Sequence, residues 1–205
     1  MKTRSGSGHA LDKGDVLLEA RGLSKGFPGV WEHLILDKLD FDVRSGEVHT
    51  LLGENGAGKT VIANILSGYY EKTEGEIRVK GKLVHFRSPR EGLAHGIAMV
   101  HQELMLVPAF TVAENIMVGL DVPLFSYEIT GVEKRIEMLV ERYGLQVDPK
   151  ARVENLSAGQ QQRVEILKVL FHEPEVLLLD EPTSLLTPSE ADQLFVVLRA
   201  MADDG

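Results

Sequence analysis

The chain of 205 residues contains no cysteine, which excludes disulfides, thiolate metal ligands and thiol catalysis. It also lacks any apolar run near the roughly 20 residues that a spanning helix requires. The first fifteen residues, with Ser5-Gly6-Ser7-Gly8, have no apolar signal core and read as a flexible leader. Basic clusters are missing as well. With 22 Lys and Arg against 31 Asp and Glu, the formal net charge is −9, so no face offsets the repulsion of a nucleic-acid backbone. The seven histidines are scattered without the paired spacing of a zinc site.

What is present centres on Gly53-Glu54-Asn55-Gly56-Ala57-Gly58-Lys59-Thr60, a phosphate-binding loop pattern of glycines, lysine and hydroxyl. Upstream, Glu47 to Leu52 reads as a buried strand running into the loop. Downstream, Val61, Ile62, Ile65 and Leu66 fall at helical spacing until Gly68. Gly53, Gly56 and Gly58 let successive N–H groups converge on phosphate oxygens at the positive end of that helix. Lys59 would reach the β and γ phosphates, and the Thr60 hydroxyl would bind magnesium. A nucleoside triphosphate is the implied ligand.

Elsewhere, Val16 to Arg21 reads as a first strand, Ser24 to Gly29 as a turn, and Leu34 to Val43 as one or two strands. Gly75 to Lys82 predicts a strand and tight turn, with Leu83 to Phe86 as the antiparallel partner. Ser88-Pro89-Arg90-Glu91 has the spacing of a capped helix start. Ile97 to Val100 is a buried strand ending before Gln102. From Leu104 to Pro123 loop residues dominate, and a helix follows whose Val132, Ile136, Leu139, Val140 and Tyr143 share one face. Ser157-Ala158-Gly159-Gln160 starts another helix, with Val164, Leu167 and Phe171. Val176 to Leu179 then reads as a central parallel strand closing in Asp180 and Glu181, where ligands bind in open α/β folds. Asp180 would hold magnesium through Thr60 or water, and Glu181 would polarise the attacking water. Phe27, on a loop before the phosphate loop, reads as a packing residue.

The phosphate loop, Gln102, Leu156-Ser157-Ala158-Gly159-Gln160 and Leu179-Asp180-Glu181-Pro182-Thr183-Ser184 together resemble the nucleotide-binding domain of ATP-binding-cassette (ABC) transporters, from about Val16 to the end. Val100-His-Gln-Glu103, Phe110-Thr-Val-Ala-Glu-Asn115 and Gln160-Gln-Gln-Arg-Val-Glu165 resemble the branch serving simple-sugar and nucleoside importers. The resemblance implies an α/β fold: a parallel phosphate-loop core over 16–102 and 172–205, a small N-terminal antiparallel sheet, and a helical insert over 103–171. It implies ATP and Mg2+ as cofactors. The partners would be a second cassette, integral membrane permease subunits and, indirectly, an extracytoplasmic solute-binding protein, placing the chain on the cytoplasmic face of the membrane.

Carried over residue by residue, Lys59 and Thr60 hold phosphates and magnesium, and Asp180 assists magnesium. Glu181 is the general base, and Gln102 senses γ-phosphate, metal and water. Phe27 stacks on adenine, against its reading as a packing residue. Ser157 and Gly159 contact ATP on the opposing cassette. The chain also departs from the family. Val61 replaces a second hydroxyl, Ser184-Leu185-Leu186-Thr187 lacks the usual closing Asp, and no histidine occupies the place of the family's γ-phosphate contact. A core strand is expected to be missing, and the chain to be a piece of a longer protein. The alternative expectation is a nucleotide-binding module without turnover.

Overall fold

A computed structural model of the chain describes residues 13–27, 34–120 and 129–204. Strand β1, Val16–Lys25, is the spine of an antiparallel sheet with β2, Leu36–Arg44, on one side and β3, Glu74–Val79, on the other. Strand β4, Lys82–Val84, completes the order β2-β1-β3-β4. The turn joining β3 to β4 places both Lys80 and Gly81 at positive φ, the conformation a two-residue hairpin needs. β1 runs past the predicted turn at Ser24, because a register shift between Arg21 and Ser24 absorbs the left-handed Gly22 and pairing resumes beyond it. Pro28 and Gly29 lie outside the described residues.

Helix α1, Lys59–Leu66, buries Ile62, Ile65 and Leu66, and Gly68 follows it at φ +86°. Helix α2, Pro89–Ala94, starts as expected with Ser88 accepting from the Glu91 amide. Helices α3, Val112–Val118, α4, Ile129–Tyr143, and α5, Ala158–Leu170, pack together, with a 3-10 turn at Val153–Asn155 before α5. Helix α3 falls where loop was expected. Its start, Thr111-Val112-Ala113-Glu114, is a complete capping box. α4 matches its periodicity, with Val132 and Ile136 fully buried.

Strands β5, Ile97–Val100, and β6, Val176–Leu179, pair in parallel. Their alternation divides the interior. Ile97, Val176 and Leu178 pack with α1 and the antiparallel sheet, whereas Ala98, Val100, Leu177 and Leu179 pack with α3, α4 and α5. A strand pair apolar on both faces thus separates two clusters, as parallel strands require. Helix α6, Pro188–Asp203, adds Leu194 and Val197 to the helical cluster.

Two expectations need correction. Glu47 to Leu52 is not a buried strand: no strand pairing includes it, Val48 is 54% exposed and Leu52 is 89% exposed. Nor is β6 central, since among the described residues it pairs with β5 alone. The reason is geometric. Between Val48–Leu51 and Val176–Leu179 lies a cleft of about 440 Å3, whose lining includes Phe41, Leu198 and Met201. The two segments stand apart with no described strand between them, so the apolar run has no ladder to join.

Candidate functional site

Two glycines of the phosphate loop adopt conformations closed to other residues: Gly56 at φ +84° and Gly58 at φ +89°. Gly58 is also tightly enclosed, since a Cβ there would lie 2.8 Å from Leu36 Cδ2 and 3.3 Å from the Ile35 carbonyl oxygen. Gly53 needs correction, because its φ is not in the left-handed region; its constraint is the nearby Ala57 methyl. Gly58 stands at the N-cap of α1 and no side chain caps the helix there. The first amides of α1 therefore have no side-chain acceptor, at the end of the helix where the dipole favours an anion.

Lys59 folds back over this loop, donating from Nζ to the carbonyl of Gly53 at 2.7 Å and of Glu54 at 2.9 Å. Residues 51–57 are exposed, so Glu54, Asn55 and Ala57 form an open rim, with the Ala57 amide donating to the Glu54 carbonyl at 3.1 Å. Val61 turns the other way and packs on the sheet-side cluster, which explains an apolar residue at that place.

The Thr60 hydroxyl donates to Asp180 Oδ1 at 3.1 Å, joining residues 120 apart. Asp180 is 8% exposed and its amide donates to the Val100 carbonyl at 3.1 Å, which holds the end of β6 against the end of β5. Glu181, immediately after, is exposed and sits at φ +46°, a conformation costly for a residue with a side chain. The acids do not cap the following helix; Thr187 does so, in a capping box with Glu190.

Gln102 lies exposed two residues beyond Val100, at the same end of the parallel pair as Asp180, which follows the neighbouring strand. Its neighbour His101 stacks edge-on against Tyr69 at 4.7 Å between centroids, a contact that sequence reading missed because both residues lie on connecting segments. Phe27 packs edge-on to Tyr70 at 5.4 Å, with Lys25 Nζ 4.7 Å over its ring. Lys25 in turn accepts the Ile35 amide at 2.8 Å, and Ile35 lies against Gly58, so Phe27 hangs from the same hairpin that covers the loop.

Ser157 and Gly159 stand elsewhere. Ser157 accepts from the Gln160 amide at 3.3 Å and its own amide is taken by the Gln160 side chain at 3.0 Å, the capping box expected at α5. Among the described residues no hydrogen bond joins either to the phosphate loop. Farther along α5, Lys168 pairs with buried Glu165 at 2.9 Å and donates to the Met105 carbonyl at 2.9 Å, tying this helix to the segment after Gln102.

Glycine loop, helix start, hydroxyl and buried carboxylate converge on one edge of the parallel pair, and comparison with known proteins gives that arrangement a lineage. The profile described as "ABC transporter" matches residues 36–184, well over half of the chain. The chain belongs to the ABC transporter family. It is 48% identical over 170 residues to the nucleoside import ATP-binding protein NupA of Lactococcus lactis, covering 82% of this chain and 34% of that one. It is 46% identical over 190 residues to a ribose import ATP-binding protein of Rubrobacter xylanophilus, covering 92% of this chain and 38% of the relative. The chain thus spans little more than a third of the length of these curated relatives. Among solved structures, the ADP conformation of an ATP-binding cassette of an ABC transporter superposes with a TM-score of 0.80 at 27% identity, covering 93% of this chain and 78% of that one. A nucleotide-free cassette matches with the same score at 25% identity. The α/β fold expected from the resemblance is therefore the observed one.

Proposed function

We propose that this chain is the ATP-binding and hydrolysing part of an importer for simple sugars or nucleosides, docked peripherally on membrane permease subunits at the cytoplasmic face. The observation that carries the reading is the Thr60 to Asp180 hydrogen bond, which sets a hydroxyl at the start of α1 beside a buried carboxylate at the end of β6. These are hard oxygen donors, two in number, and no group of three or more metal-ligating side chains occurs among the described residues. That fits Mg2+, which takes one or two protein ligands and completes its shell with water and substrate phosphates. When bound, the ion would supply positive charge that offsets the charge developing on the transferred phosphoryl group.

The chain's own residues supply the rest. The amides between Gly56 and Val61 cradle phosphate oxygens, and Lys59 exchanges its loop carbonyls for the β and γ phosphates. Glu181 accepts a proton from the attacking water, held by its left-handed backbone at the open end of β6. Gln102, on the adjoining strand end, orients that water and would add an oxygen ligand to the ion. Phe27 presents a ring for adenine, and Ser157 and Gly159 serve the ATP of a second cassette. The domain division takes 16–102 and 172–205 as the ATP-binding core and 103–171 as the helical unit, with Leu194 and Val197 of α6 packing across it into the helical cluster. The import reading draws on the names of the relatives above, and no described helix is long and apolar enough to cross a membrane.

The test is steady-state phosphate release from magnesium-ATP by the chain, with Glu181→Gln beside it. Turnover that falls at least a hundredfold in the variant supports the reading. Saturable ATP binding with no release from the parent contradicts it and favours a module without turnover.

A further inference from the structure

Helix α5 carries a glycine at its second position, and its backbone does not explain why. Gly159 is helical, without the positive φ that marks the other constrained glycines. It is buried, and the group that covers it is Glu190. A Cβ on Gly159 would lie 2.7 Å from Glu190 Cδ and 3.1 Å from its Cγ, with Oε1 nearer still. Alanine is the better helix former, so a carboxylate occupying the alanine's place is a physical reason for the glycine.

Glu190 does two jobs with its two oxygens. Oε2 accepts from the Thr187 amide at 3.0 Å and from the Thr187 hydroxyl at 2.8 Å, and with the Glu190 amide donating back to that hydroxyl at 3.4 Å the capping box is complete without Oε1. The rest of the carboxylate lies against α5, over the Gly159 backbone, close enough to Ser157 for its hydroxyl to help hold the Glu190 carboxyl below its ordinary pKa, after the larger effect of Thr187. The Ser157 hydroxyl can serve both contacts, accepting from the Gln160 amide and donating to Glu190. One turn further on, Arg163 of α5 donates to the Gln193 side chain of α6 and to the Leu145 carbonyl. The first two turns of α5 and α6 are thus joined at two levels. The connection from Glu181 to Thr187 is short and folded, with Ser184 donating to the Glu181 carbonyl and Leu186 to that of Thr183, both at 3.1 Å.

We propose that Glu190 is a positioning residue: it locks the Ser157 turn at the start of α5 to the loop that leaves Asp180 and Glu181. This rests on the reading above in one respect, that Ser157 faces the ATP of a second cassette. Under it, each chain's hydrolysis loop is mechanically tied to the element it offers to the opposite site. A capping residue alone would not need Gly159, would not touch Ser157, and would leave α5 indifferent to α6.

The experiment uses the full chain with Gly159→Ala, Glu190→Ala, Glu190→Gln and the double variant Gly159→Ala/Glu190→Ala. The expected result is a reversal of sign. Gly159→Ala lowers the urea midpoint of the parent, where the methyl meets Glu190, and raises it in the Glu190→Ala background, where only the better helix propensity remains. Hydrogen exchange of the Ser157 to Gln161 amides should rise at least tenfold in Glu190→Ala and much less in Glu190→Gln, which keeps an acceptor for Ser157. In Glu190→Ala, magnesium-ATP affinity stays within twofold of the parent, and turnover falls at least fivefold. The same sign of the Gly159→Ala effect in both backgrounds, or unchanged exchange at Ser157, overturns the tie. A parent that hydrolyses ATP and a Glu190→Ala variant that matches it overturns the positioning role. A parent that does not hydrolyse ATP speaks against the proposed function, and the tie is then decided by the midpoints and exchange.

Discussion

Thr60 and Asp180 meet at 3.1 Å between hydroxyl and carboxylate, although 120 residues separate them. The contact exists because α1 begins where β6 ends, and the Asp180 amide fixes that strand end by its bond to Val100. If the pair holds magnesium, Asp180→Asn should remove most of the metal's contribution to ATP binding. Titrations with and without magnesium should differ by at least tenfold in the parent and by less than threefold in the variant. Equal magnesium dependence in both would rule out a metal role for Asp180.

Gly58 combines a left-handed backbone with an occupied Cβ position. Gly58→Ala should therefore cost at least about 1–2 kcal/mol in strain, before any clash with Leu36. Urea unfolding monitored by circular dichroism would measure it. Gly56→Ala, where nothing lies within 4 Å, should cost the strain without the clash and be the milder of the two.

Much of this site was legible in the sequence, for reasons particular residues make plain. The loop from Gly53 to Thr60 and the pair Asp180 and Glu181 are local patterns at strand and helix ends. The helix starts at Ser88 and Ser157 are local hydrogen-bond chemistry, and so is that at Thr111, whose capping box with Glu114 is equally local. What escaped is non-local. Val48 and Leu52 are as apolar as any buried strand, but burial depends on a neighbouring strand that local periodicity cannot supply. The ring contacts of Tyr69 with His101 and Tyr70 with Phe27, and the approach of Glu190 to Gly159, join segments distant in the chain. Backbone strain at Glu181 also has no signature in residue type.

The helical cluster gives a stability prediction independent of nucleotide. Ile136 is fully buried on α4. Ile136→Ala should destabilise the chain by about 2–5 kcal/mol, as loss of a buried side chain with partial collapse does. Chemical denaturation checks it, and a cost under about 1 kcal/mol would mean that α4 packs more loosely than described.

His172 supplies the pH dependence. Burial, and then the Arg135 cation, lower its pKa below the ordinary value of 6.5. The neutral ring is thus the form that the fold prefers. The stability it contributes is present above the ordinary imidazole value and is lost as pH falls through the lowered one. Melting temperature should decline on acidification from neutrality, and His172→Gln should flatten that part of the profile. A profile unchanged by the substitution would assign the decline to other groups.

The most direct measurement is calorimetric titration of magnesium-ATP into the chain and into Lys59→Ala. Lys59 spends its ammonium group on two carbonyls of its own exposed loop, so its removal should leave the fold intact. The account predicts saturable binding by the parent, and binding at least tenfold weaker in the variant with an unchanged melting temperature. Equal affinity in the two proteins, or none in a folded parent, would contradict it.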